Sequence, residues 1–266
     1  MMGPSITPRL TLDTKTDILN ADLNIVIHQP SIDEISLIGE NIFVIGINSL
    51  TKDYTTEIRN EDNSNSSQLS NFDIFMSIIN EKLNNSKIIK NAVYSVLFLI
   101  LPAYNINFTP RSIILQDLQG EEKKIHMIDA SNFDILANII YHMFCMQEFN
   151  AQIQNYNPQG DRARALVEKF KKKREYLENM RRQRGEDSST QSLYGRYIDI
   201  LAVGLQKDKN ILKKYSVFQL IEEFKRFQLK EEFDYTFQAK MAGATKVKDA
   251  KNWMDDIQFG NNNSED

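Results

Sequence analysis

The chain has 266 residues, 41% of them hydrophobic and 26% charged, with a formal net charge of −4. Those values suit a protein with a sizeable core, in one large domain or two smaller ones. The longest apolar run, residues 92–101, is broken by Tyr94 and Ser95 and ends at Pro102, well short of the roughly 20 residues a bilayer span needs. With Cys145 as the only cysteine, intrachain disulfides are excluded.

Strand signals open the chain. The segments LTLDT at 10–14 and LNIVIH at 23–28 alternate or run apolar, and polar residues separate them. Gln29 and Pro30 end the second strand. Ser31 and Glu34 then form a capping-box pattern, in which each side chain satisfies the other's backbone amide. Ile35, Ile38, Ile42 and Ile45 follow at helical spacing and predict one continuous helix face. Residues 60–70 are polar and low in complexity, a loop. Phe72, Phe75, Met76 and Ile79 mark a further helix. Residues 88–101 mark another, apolar nearly all round and therefore central. Residues 112–118 and 124–128, flanking Gln119 and Gly120, read as a hairpin. A helix from about Asp129 to Met146 follows.

The texture changes near Asn155. Pro158 fits a helix entry, since its missing amide would be unpaired there anyway. A basic helix is expected through about Arg184, then a linker, then a helix over 193–203 and a Lys/Asp-rich turn. Ser216 caps the longest periodic segment, where Val217, Leu220, Ile221, Phe224 and Phe227 share a face; Gly243 is its expected stop. Val247, Ala250, Trp253, Met254 and Ile257 give a last short amphipathic helix. The expected fold is α+β: an α+β region over 1–150 with short antiparallel hairpins and helices, an all-helical region over 151–258, and a disordered tail over 259–266.

Catalytic chemistry is not apparent. His28, His126 and His142 are isolated, so no ligand set converges for a metal. Gly39, Gly46 and Gly195 stand alone and build no phosphate-binding loop. Adjacent acidic pairs such as Glu222 and Glu223 diverge by about 100° on a helix and do not cooperate as acid and base. No enzyme activity, cofactor or metal is expected. Residues 1–10 show no basic region followed by an apolar core, so no secretory signal is expected. Cys145, among Tyr141, Met143, Phe144 and Met146, reads as a small buried side chain in a reducing cytoplasm.

The strongest chemical feature is the stretch 161–184, with ten Lys/Arg against four Asp/Glu. Lys171, Lys172, Lys173 and Arg174 could neutralise phosphates. Interleaved Glu168, Glu175 and Glu178 and the scarcity of stacking aromatics favour a protein partner over nucleic acid.

Three segments resemble a known family: IVIHQPSIDEISLIGE at 25–40, NPQGDRARALVEKF at 157–170, and a closing stretch with YSVFQLIEEFKRF at 215–227, AKMAGA at 239–244 and NWMDDI at 252–257. They are similar to tail-assembly proteins of tailed bacteriophages of low-GC hosts. The resemblance implies a non-enzymatic tail or baseplate assembly role in the host cytoplasm, chaperone-like or as a minor virion component. Partners would be other tail proteins, such as tape-measure or baseplate components, and an oligomer is compatible with it. A stable structural subunit of the virion and a regulatory nucleic-acid binder using 161–184 are the alternatives. The family supplies no catalytic residues. An assembly factor holds apolar partner segments on amphipathic helices. Phe218, Leu220, Ile221, Phe224, Phe227, Trp253 and Met254 are candidate anchors, with Lys171, Lys172, Lys173 and Arg174 as candidate charged contacts.

Overall fold

The computed structural model describes residues 9–55, 69–81, 84–118, 124–146, 192–244, 249 and 252–254. Helix α1 (Arg9–Asp13) precedes an antiparallel ribbon of β1 (Ile18–Asn20) and β2 (Ile25–Ile27), in which Ile18 faces Ile27 and Leu19 faces Val26. The LTLDT segment is thus helical and not the expected strand. Short apolar alternation does not separate the two states, and distant hydrogen bonds decide here. Gln29 Nε2 donates to the carbonyls of Thr11 (2.8 Å) and Thr16 (2.5 Å), and Gln219 Nε2 to that of Asp13 (2.7 Å).

The capping box of Ser31 and Glu34 starts α2 (Ile32–Ile38) as expected. The continuous helix predicted beyond it is two helices, because the chain turns at Gly39 with φ 87 before α3 (Glu40–Thr51). Only glycine adopts that backbone without strain. The turn changes which side chains point inward: Ile42 and Ile45 are exposed, whereas Phe43, Ile47 and Leu50 are buried.

A second capping box, Ser70 with Asp73, starts α4 (Asn71–Asn80), and Phe72, Phe75, Met76 and Ile79 are all buried. Next comes α5 (Asn84–Ile100), packed closely on α3. A Cβ at Gly46 would stand 2.5 Å from Val96 Cγ2, so glycine sets this approach. One side of α5 is in solvent, with Ile88, Tyr94 and Phe98 exposed, so the helix is not central all round. A three-stranded antiparallel sheet follows in the order β3 (Tyr104–Phe108), β4 (Ile113–Asp117) and β5 (Ile125–Ile128). The hairpin of β4 and β5 is the expected one; β3 is an additional strand, in which Tyr104, Ile106 and Phe108 alternate with asparagines. Helix α6 (Phe133–Met143) ends earlier than predicted, at a C-cap on Phe144, and Cys145 is buried with φ 52.

Three helices complete the described chain: α7 (Leu193–Leu205), the four-residue α8 (Lys209–Leu212), which lies in the expected turn, and α9 (Val217–Met241). Gly243, at φ 89, follows α9 as expected. Tyr194, Leu201, Val217 and Leu220 from α7 and α9 join the same buried cluster as Ile35, Phe43 and Leu97. The two ends of the described chain are stitched together at a pair of helix starts. Ser31 and Ser216 form an isolated antiparallel bridge, and the amides of Ile32 and Asp33 donate to the carbonyls of Tyr215 and Lys213, each at 3.0 Å. These carbonyls satisfy amides that the first turn of α2 cannot pair internally. The architecture is α+β, with short antiparallel strands in the N-terminal part and helices in the C-terminal part. The expected boundary at 150–151, the basic helix over 161–184 and the tail over 259–266 lie outside the described residues.

Candidate partner-binding surface

Helix α9 begins with the capping box of Ser216 and Gln219 and then buries Val217, Phe218, Leu220 and Ile221. Phe218, Leu220 and Ile221 are therefore core residues and not partner anchors. Phe224 and Phe227 are half-buried against α7. The Phe224 ring meets Tyr197 edge-on at 4.7 Å, and a Cβ at Gly204 would stand 2.4 Å from the Phe227 ring. Both phenylalanines thus serve internal helix packing. Lys207 closes the corner between α7 and α9, with Nζ 2.6 Å from Glu223 Oε1 and donating to Tyr215 Oη at 3.2 Å. Partial burial pushes its pKa down, but the bonds to Glu223 and Tyr215 outweigh that and hold the amine above its usual range.

The second half of α9 carries a different strip. Leu229, Phe233, Phe237 and Met241 recur every fourth residue, which aligns them along one side. Phe233 lies roughly two and a half turns beyond Phe224, so this side is opposite the one that packs on α7. Leu229 and Phe233 are half-buried; Phe237 and Met241 are 58% and 76% exposed. Arg226 and Lys240 each stand about two turns from Phe233, one on either side, and share its face.

The chain comes back to that face after Gly243. Lys240 pairs with Asp249, and Arg226 Nη1 donates to the carbonyl of Trp253 at 2.9 Å. The bond from Lys240 holds the Asp249 carboxyl below its ordinary range. Trp253 is half-buried, and Met254 is 67% exposed. These two residues sit in a turn rather than in the expected helix, and Met254 N donates to Asn252 Oδ1 at 3.1 Å. Residues 249 and 252 of that expected helix are not helical either, and its other positions lie outside the described residues. So do Lys171, Lys172, Lys173 and Arg174.

The histidines stay apart. His28 lies between two carboxylates, with Nδ1 2.9 Å from Asp17 Oδ1 and Nε2 3.3 Å from Glu34 Oε1. Burial pushes the Glu34 carboxyl up, but bonds from Ser31 and His28 outweigh it and hold the group below its usual value. Burial lowers the pKa of His142. Among the described residues no three His, Cys, Asp or Glu converge as a metal site, and no helix is long and apolar enough to cross a membrane.

The strip on α9 is legible as a four-residue apolar spacing that follows the stronger periodicity of Val217, Leu220, Ile221, Phe224 and Phe227. Arg226, Lys240 and Asp249 had no distinguishing signal, because each is one charged residue among many. No curated protein and no solved structure matches the chain. Residues 195–258, which span most of α7, all of α9 and the returning segment, are similar to the YomV second domain, a family derived from a Bacillus phage region.

Proposed function

We propose that this protein is a non-enzymatic assembly factor for a phage tail or baseplate, acting by holding apolar segments of other tail proteins. One observation carries the reading: within the region similar to a phage-derived family, α9 presents an apolar strip on the side away from its own core, with Phe237 and Met241 exposed. Exposed apolar side chains aligned on a helix are how proteins take up amphipathic segments. The likeness of three segments to tail-assembly proteins supports the same role.

The test combines two measurements on infected cells. Tagged wild-type protein should co-purify with tail proteins, and Phe237→Ser with Met241→Ser should lose them without a change in melting. Mass spectrometry of finished particles should find the chain absent or in traces. Stoichiometric presence would make it a structural subunit instead. Affinity for duplex DNA that falls steeply with salt, and is abolished by Lys171→Glu, Lys172→Glu and Lys173→Glu, would replace this reading with nucleic-acid binding.

A further inference from the structure

The chain's own returning segment meets the second strip of α9 at Lys240 and Arg226, and these contacts are of a releasable kind. Neither clasp is a buried side-chain anchor. The Asp249 side chain is 90% exposed and that of Lys240 42% exposed. Arg226, also paired with Glu222 at 3.1 Å, donates to a backbone carbonyl, that of Trp253. Ion pairs this exposed contribute little and weaken with salt. Phe237, between the two clasping residues, and Met241, just past Lys240, stay exposed.

The clasp also states what chemistry fits the strip. Its donors are a guanidinium and an ammonium on α9, bracketing Leu229, Phe233 and Phe237. In the sequence, residues 249–256 carry three aspartates against one lysine, around Trp253. We infer that residues 249 and 252–254 form a strap across the second strip of α9, clasped by Arg226 and Lys240, and that an acidic partner segment bearing an aromatic side chain displaces it. Charge complementarity selects the acidic class, since a basic peptide would meet Arg226 and Lys240. The strap is a property of this chain alone. Only the partner's place in a tail rests on the assembly reading, so the two can fail separately.

Trp253 is the only tryptophan, so its fluorescence reports the strap directly. In the purified full-length chain, Asp249→Lys should move the emission to the red and raise quenching by acrylamide. Lys240→Asp combined with Asp249→Lys should restore both. A labelled peptide of residues 247–258 should bind the full-length variant Asp249→Lys with Trp253→Ala about tenfold more tightly than wild type, where the strap occupies the strip most of the time. Circular dichroism and melting should be unchanged in these variants. Equal emission in wild type and Asp249→Lys would overturn the strap. Equal or absent peptide binding in both proteins would overturn the displaceable strip. A large melting loss in Asp249→Lys alone would show the segment to be core.

Discussion

Glu40, the first residue of α3, caps a helix that starts more than 150 residues later: its Oε2 accepts the amide of Leu193 at 2.7 Å. Its other oxygen accepts the hydroxyl of Ser192, whose own Oγ accepts the amide of Gly195 at 2.7 Å. A carboxylate here neutralises the positive end of α7 and satisfies an amide that the helix cannot. Just inside this cap, Tyr194 is fully buried, its ring 6.3 Å from Phe43, and burial together with nearby Glu40 pushes its phenol pKa up. Glu40→Ala should therefore cost about 1 kcal/mol, read as a lower urea midpoint with an unchanged slope. An unchanged midpoint would mean that water replaces the cap without loss.

Gly46 and Gly39 should fail for different reasons. Gly46→Ala puts a methyl 2.5 Å from Val96 Cγ2 and 2.6 Å from the carbonyl oxygen of Ala92, so α3 and α5 must part. We expect about 1–3 kcal/mol of destabilisation. Gly39→Ala meets no atom within 4 Å but must hold φ 87, which should cost about 1–2 kcal/mol. Chemical denaturation of both variants checks the pair. A second-site Val96→Ala should rescue Gly46→Ala in part and leave Gly39→Ala as it is.

The two sides of α9 should respond oppositely to truncation. Phe224→Ala removes the ring that meets Tyr197 and should destabilise by about 2–3 kcal/mol, below the range for fully buried aromatics because Phe224 is only half-buried. Phe237→Ala, on a side chain 58% exposed, should stay within about 0.5 kcal/mol. Thermal melts of the two variants decide it, and a large loss in Phe237→Ala would place that ring in the core.

Two groups should make acid destabilising in separate windows. The folded pKa of His142 lies below its ordinary 6.5, so the unfolded chain binds the proton first and stability declines as pH falls below about 6.5. Glu34 is held below its ordinary 4.5, so its contribution is present above that value and is lost as pH falls through the lower folded one. In urea titrations across the acid range, His142→Gln should flatten the upper limb and Glu34→Gln the lower. Parallel curves for wild type and Glu34→Gln below 4.5 would show that Ser31 and His28 do not favour the ionised carboxylate.

Local chemistry alone determined much of this protein. Ser31 with Glu34 and Ser216 with its helix start were readable because a cap is made by residues three apart, and Phe72, Phe75, Met76 and Ile79 because one helix face repeats every three or four residues. The hairpin of β4 and β5 was readable for the same kind of reason. What the local pattern could not carry was every choice made by a distant partner. LTLDT became a helix under hydrogen bonds from Gln29 and Gln219. Ile42 and Ile45 turned to solvent because Gly39 took a positive φ and let Phe43 reach the core. In α9 the sequence marks two apolar strips of similar strength. Only the tertiary structure decided that Phe224 faces α7 while Phe233 and Phe237 face away, because a helix buries whichever side its neighbours reach and leaves the other for something else to cover.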